Sequence, residues 1–130
     1  MIFSLLVQES PVGHESSQAA LRFASTLLAE GHTLFRVFFF RDGVLNATRL
    51  NCTPGGEADL PLQWQQLAKL HGVDMVACVS SALRRGIVDA SEASRHQRDG
   101  SSLREGFDMS GLGQLVEACI RSDRILSFGG

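Results

Sequence analysis

Apolar and polar positions along the chain fall into two alternating kinds of block. Short runs of mostly apolar residues occur at 2–7, 33–40, 75–79 and 124–128. Between them lie longer stretches in which apolar residues recur at helical spacing. In 17–30 the residues Ala20, Phe23, Ala24, Leu27 and Leu28 follow the i, i+3, i+4, i+7, i+8 pattern of one helix face, and Gly31 is a C-terminal stop. Leu60, Trp64, Leu67 and Ala68 mark a second helix, opened by Pro61 and closed before Gly72. Leu112, Leu115, Val116, Cys119 and Ile120 share one face of a last helix, which Ser110 is placed to cap. That stripe reads as core.

The run at 33–40 ends in Val37, Phe38, Phe39 and Phe40 with no alternation, so both of its faces should be covered. The remaining segments are weaker. A turn is expected at 41–43, a short helix at 44–50 and a loop at 51–59, where Pro54, Gly55 and Gly56 cluster. A polar helix is expected at 89–98 and a short strand near Gly106 and Phe107. Strands alternating with helices predict one α/β domain over 1–130, with a mostly parallel sheet and helices on both faces.

Composition excludes more than it identifies. The 130 residues are 44% hydrophobic and 20% charged, ordinary values for a globular protein. No apolar run is long enough to cross a bilayer, so no membrane role is expected. The segment 1–7 lacks a basic leader and a small-residue cleavage pattern; it reads as a strand, with a cytoplasmic location as the default. A net charge of −2 argues against direct nucleic-acid binding, which usually needs a basic excess. Three widely spaced cysteines, with no C-x-x-C pair, support neither a zinc site nor a disulfide framework.

The candidate chemistry centres on 74–86. An apolar strand ends at Cys78, turns polar at Ser80 and Ser81, and runs into a helical Ala82, Leu83, Arg84, Arg85 stopped by Gly86. Ligands of open α/β sheets bind at this carboxyl edge. Helix N–H groups and two arginines would favour an anion there, so the Cys78 thiol should ionise readily. The loops holding His14 and Arg41 should reach the same edge. His14 would orient or protonate a group on Cys78, and Arg41 would hold an anion. Local pattern alone leaves Cys78 open between a reactive thiol and an ordinary core cysteine. Cys119 reads as core and Cys52 as an incidental loop thiol.

Cys78 to Arg84 also spells C-x5-R, the phosphate-loop spacing of cysteine phosphatases and arsenate reductases. The intervening residues hold no glycine, and Arg85 stands where those enzymes prefer Ser or Thr. No G-x-S-x-G elbow and no strand-linked G-x-G-x-x-G occurs.

Several blocks together are more specific than any single motif. They are Val37 to Val44 (Val-Phe-Phe-Phe-Arg-Asp-Gly-Val), Trp64 to Leu67, His71 to Val73, Cys78 to Gly86 with Val88 and Asp89, and Gly106-Phe107 with Ser110 to Gly113. Over nearly its whole length the chain resembles the TusD/DsrE family of sulfurtransferase subunits. The resemblance implies a flavodoxin-like (DsrE-like) three-layer sandwich. It implies that Cys78 carries sulfur as a persulfide, within a dimer of heterotrimers formed with TusB-like and TusC-like subunits. It also implies a TusA-like donor, a TusE-like acceptor and delivery of sulfur to tRNA 2-thiouridine, or the related relay of sulfur oxidation. The chemistry needs no metal or organic cofactor. The competing readings are a C-x5-R phosphatase or reductase and a passive partner subunit with a structural Cys78. In a relay, the thiol is expected to be exposed enough for two proteins to reach it.

Overall fold

Five strands lie in one sheet in the order β4-β3-β2-β1-β5, in a computed structural model that describes residues 1–130. They are β1 (Ile2–Val7), β2 (Thr33–Phe39), β3 (Asp74–Cys78), β4 (Phe107–Ser110) and β5 (Arg124–Phe128), and every neighbouring pair is parallel. The first four strands step across the sheet in one direction. The connection from β4 then returns past three strands to lay β5 beside β1. Parallel crossovers keep one hand, so this reversal sends the last helix to the opposite face from the others.

Strand alternation divides the interior accordingly. Leu5, Val7, Val37, Phe39, Met75 and Ala77 point into the main core, where they meet α1 (Ser16–Ala29) and α2 (Leu60–His71). Leu6, Phe38, Val76 and Cys78 point the other way, toward α5 (Gly113–Arg121), whose Leu115 packs on them. The expectation of a three-layer sandwich with helices on both faces holds.

The helices form where the patterns place them, with local chemistry at the ends. The Asp59 carboxylate accepts from the Leu62 amide at the start of α2, Pro61 sits in its first turn, and Gly72 closes it in the left-handed conformation at φ 67°. Trp64 is fully buried, edge-on to Phe39 at 5.4 Å. Two short helices follow β3: α3 (Val79–Arg84) and α4 (Ala90–Arg95), the latter capped by Asp89.

Three local expectations are corrected. The short helix expected at 44–50 is a 3-10 segment, Arg41–Ala47, that absorbs the expected turn. Gly43 is the reason: a Cβ there would overlap the Val7 carbonyl, so only glycine lets this segment lie against the end of β1. Ser110 does not cap α5; it is the last residue of β4, paired in register with Cys78. The apolar stripe of α5 is not core. Leu112, Val116 and Ile120 are 51%, 57% and 76% exposed, Cys119 is exposed, and the one buried residue of the helix is Ala118.

The inward side of α5 is Leu115 and Ala118, and beside them a single arginine holds the helix. Arg36 of β2 is 7% exposed. Its Nε donates to Asp74 Oδ2 at 2.7 Å, and its Nη1 donates to the Gln114 carbonyl and to Glu117 Oε1, both at 2.8 Å. These charge-assisted bonds fix which side of the helix meets the sheet.

Gly43→Ala should therefore destabilise the fold by about 3 kcal/mol or more, since the added methyl meets backbone that cannot yield. Urea denaturation checks this, and an unchanged midpoint would contradict the close approach.

Candidate functional site

Cys78 ends β3 with extended backbone, φ −60° and ψ 123°, and occupies the N-cap position of α3. Strand alternation aims its side chain at the α5 face, where Phe38 and Val76 flank it and Phe40 and Leu115 pack against the same group. The residue is 2% exposed. The expectation of an accessible thiol is thus corrected. The last residue of a strand whose alternate positions feed an apolar cluster goes under that cluster's cover. The side chain does not, however, point away from the helix start.

At the helix start the sulfur has polar company. Its Sγ lies 3.5 Å from the Ser80 hydroxyl. In the thiol form no hydrogen bond from a capping amide is closed. Burial by itself pushes the thiol pKa up; hydrogen bonding from the Ser80 hydroxyl, the Ser81 amide, the Ser81 hydroxyl and the Ser80 amide outweighs it. The net direction is downward from an ordinary thiol. Four donors therefore face an anion on Cys78 from within an otherwise apolar site.

Arginine plays no part in that shift. Arg85 Nε donates to Asp42 at 2.7 Å and its Nη1 to the Ser81 carbonyl at 3.0 Å, away from the sulfur. Arg84 lies at the far end of α3, roughly 9 Å along the helix axis by its rise per residue. The guanidinium of Arg41 stacks over Phe40 at 5.6 Å, while its backbone N–H donates to Ser81 Oγ at 3.0 Å. Arg41 thus supports the site through its backbone, with Ser81 held in place, rather than by binding an anion. His14 pairs with Glu9 at 3.4 Å, at the end of β1 and two strands from β3. Of the candidate set, the structure gathers Cys78, Ser80 and Ser81 around the sulfur, with the Arg41 backbone behind them; Arg84 and His14 stand apart.

The C-x5-R reading loses its geometry here. A phosphate loop wraps its backbone around the anion and brings the arginine back to it. In this chain winding starts at Val79, directly after the cysteine, so the intervening residues are helix.

The remaining thiols are both exposed. Cys52 lines a cleft of about 500 Å³ with Pro11, Val12 and Pro61. A larger cleft of about 730 Å³ lies between Gln65, Lys69, Asp74 and Asp108. Cys78 lines neither of them. Between β1 and β5, where the strand order reverses, Gln8 donates to Ser127 Oγ at 2.9 Å. Sequence reasoning missed Phe38 and Leu115 as the cover of Cys78. The signal available was strand parity: Phe38, Val76 and Cys78 share one face once β2 and β3 are paired.

The model of the DsrE/DsrF-like family matches residues 1–128, and the chain belongs to that family. It is 47% identical over 129 residues to the DsrE protein of Allochromatium vinosum, covering 99% of both chains. It is 46% identical over 126 residues to a sulfurtransferase TusD homolog of Vibrio vulnificus, 97% of this chain and 96% of the other. It is 44% identical over 126 residues to the sulfurtransferase TusD of Serratia proteamaculans, 97% of this chain and 98% of that one. In structure it is similar to the YchN protein of Escherichia coli, with a TM-score of 0.78 over 98% of this chain and 99% of that chain. At 20% identity this is a likeness of fold.

The thiolate is the reactive form, so a lowered pKa moves half-maximal reactivity to lower pH. In a Cys52→Ser, Cys119→Ser background, alkylation of Cys78 by a small neutral reagent should titrate with a midpoint below that of an ordinary thiol. Ser80→Ala removes one donor and should raise that midpoint. An unshifted profile in the variant would show that the hydroxyl does not stabilise the anion.

Proposed function

We propose that this chain is a sulfur-relay subunit whose Cys78 accepts sulfane sulfur as a persulfide and passes it to a carrier protein. The observation that carries the reading is the set of serine hydroxyls and helix amides that lowers the Cys78 pKa at the end of β3. Membership of a family with relatives named as sulfurtransferases supports it.

The thiolate attacks the outer sulfur of a donor persulfide. A bond forms between Cys78 Sγ and that sulfur as the bond to the donor's own sulfur breaks, and the donor leaves as its thiolate. The product is a persulfide on Cys78. Its terminal anion sits one atom further out than the original thiolate, toward the Ser80 hydroxyl. An acceptor thiolate then attacks the terminal sulfur, and Cys78 leaves as the thiolate that began the cycle. Two displacements move one sulfur with no net change of oxidation state, so the chemistry itself calls for no redox cofactor. Between visits, the cover of Phe38 and Leu115 keeps oxidants from a sulfur that is otherwise easily lost to higher oxidation states.

The donor and acceptor are proteins in this reading, because neither large cleft opens onto Cys78 to hold a small sulfur compound. A TusA-like donor and a TusE-like acceptor, serving 2-thiouridine synthesis in tRNA, are the partners proposed, with TusB-like and TusC-like subunits in a dimer of heterotrimers. The DsrE-type relay of sulfur oxidation would use Cys78 identically and differ only in who visits.

Incubation with a persulfidated donor protein should add the mass of one sulfur atom to the peptide containing Cys78, and DTT should remove it. Cys78→Ser should abolish both the adduct and delivery to the acceptor in a reconstituted relay. If the variant still delivers sulfur, Cys78 is a passive core residue and the reading fails.

A further inference from the structure

Arg41 holds a conformation that its residue type resists. Its φ of 52° lies in the left-handed region, where an L side chain crowds the following carbonyl. Such a residue persists only where its surroundings over-determine it, and these positions cluster around functional sites. Here the surroundings centre on Ser81, which is 3% exposed. The Arg41 N–H donates to Ser81 Oγ at 3.0 Å. The next residue, Asp42, returns to the same serine by a second route. Its Oδ1 accepts from Arg85 Nε at 2.7 Å, and Arg85 Nη1 donates to the Ser81 carbonyl at 3.0 Å. The Arg85 amide, which would continue the helix by bonding that carbonyl, bonds the Ala82 carbonyl instead. Arg41, Asp42 and Arg85 thus close a ring that holds one serine at both its hydroxyl and its carbonyl.

We propose that Asp42 and Arg85 are positioning residues that aim the Ser81 hydroxyl at Cys78. A serine hydroxyl has one proton to give and two lone pairs. The Arg41 N–H occupies a lone pair, and no acceptor takes the proton in the thiol form. An anion on Cys78, three residues earlier, supplies that acceptor. The Ser81 hydroxyl is accordingly among the donors that pull the Cys78 pKa down. The charge of Arg85 points away from the sulfur; its effect passes through the place at which it holds Ser81. The side chains of Asp42 and Arg85 are 61% and 28% exposed, so water screens the pair and its share of stability is small. A planar fork that spans two elements fixes geometry all the same.

The assignment rests on the reading of Cys78 as the working thiol. Its test uses a small alkylating reagent and no donor or acceptor protein, so it stands or falls separately from sulfur delivery. Charge and positioning predict opposite signs at Asp42. Removing a carboxylate near the thiol favours the thiolate by charge alone and lowers the midpoint of Cys78 alkylation. Loss of the brace on Ser81 raises it. In the Cys52→Ser, Cys119→Ser background, Asp42→Ala should raise the midpoint and slow alkylation at neutral pH by about threefold. Arg85→Lys keeps the charge but loses the fork, and should shift the profile the same way. Both effects should vanish in a Ser81→Ala background, where no hydroxyl is left to aim. A lowered or unmoved midpoint in Asp42→Ala overturns the proposal. So does a rise that persists without the Ser81 hydroxyl, since the pair would then act by another path.

Discussion

The guanidinium of Arg36 decides how the far side of the sheet is built. It sits almost fully buried on β2, stacked 4.8 Å from the Phe35 ring centroid, and ties β3 through Asp74 to α5 through Glu117 and the Gln114 carbonyl. Burial alone would lower its pKa, but the bonds and charges of Glu117 and Asp74 more than reverse this, so the net direction is upward. The cation is therefore permanent, and its partners have no pH at which it lets them go short of their own protonation. Both carboxylates remain partly open to water. That limits the net contribution of the pairs to stability, because solvent screens them. Their larger effect is on geometry: two bonds from one planar group, itself held by a third to Asp74, define the height and rotation of a nine-residue helix.

Two consequences follow from that one attachment. Leu115 is lowered onto Phe38 and the Cys78 cluster, closing the thiol from solvent. The apolar stripe on the other side of the same helix is turned outward. Cover over the sulfur and exposure of the stripe are thus not separate features. They are the inner and outer sides of a helix whose rotation Arg36 has set.

Much of the frame was legible from pattern. The apolar runs at 2–7, 75–79 and 124–128 each predict a strand observed within a residue; for the central β3 the reason is that a buried parallel strand has no polar face to confuse its edges. Trp64 and Leu67 were readable as core because α2 packs by its apolar side. The same rule failed on α5. Periodicity shows which residues share a face but not which way the face turns, and the arginine that decides this lies about eighty residues away in β2. Arg36 looks like an ordinary interruption of an apolar run until β2 is paired with β3 and its partners come into view. The arginines beside Cys78 misled for the opposite reason. Their proximity in sequence suggested electrostatic help, yet a helix carries successive side chains around its axis, and Arg85 found Asp42 instead. Ser80 and Ser81 were the more informative neighbours, since residues two and three past an N-cap bring their amides back toward it.

The candidate site joins two demands that oppose each other. A persulfide carrier must meet other proteins, which calls for exposure; it must also survive between meetings, which calls for cover. Burial without polar donors would answer the second demand and defeat the first, because a desolvated thiol stays protonated and inert. Here the donors sit inside the cover, so the sulfur ionises more readily than an ordinary thiol while shielded. What remains is the opening. Two features of the cover make it the place to move: Leu115 belongs to the thinnest layer of the fold, one helix deep, and α5 starts at Leu112 without a side-chain cap. The first turn of that helix holds Gln114, whose carbonyl Arg36 grips as closely as it does Glu117, both at 2.8 Å. Local opening is cheapest where few apolar groups and few capped bonds resist it. A visiting protein that presses on the start of α5 would therefore have to part the Gln114 carbonyl from Arg36 before Leu115 lifts from the sulfur, so the same arginine that sets the cover also sets how hard it is to open.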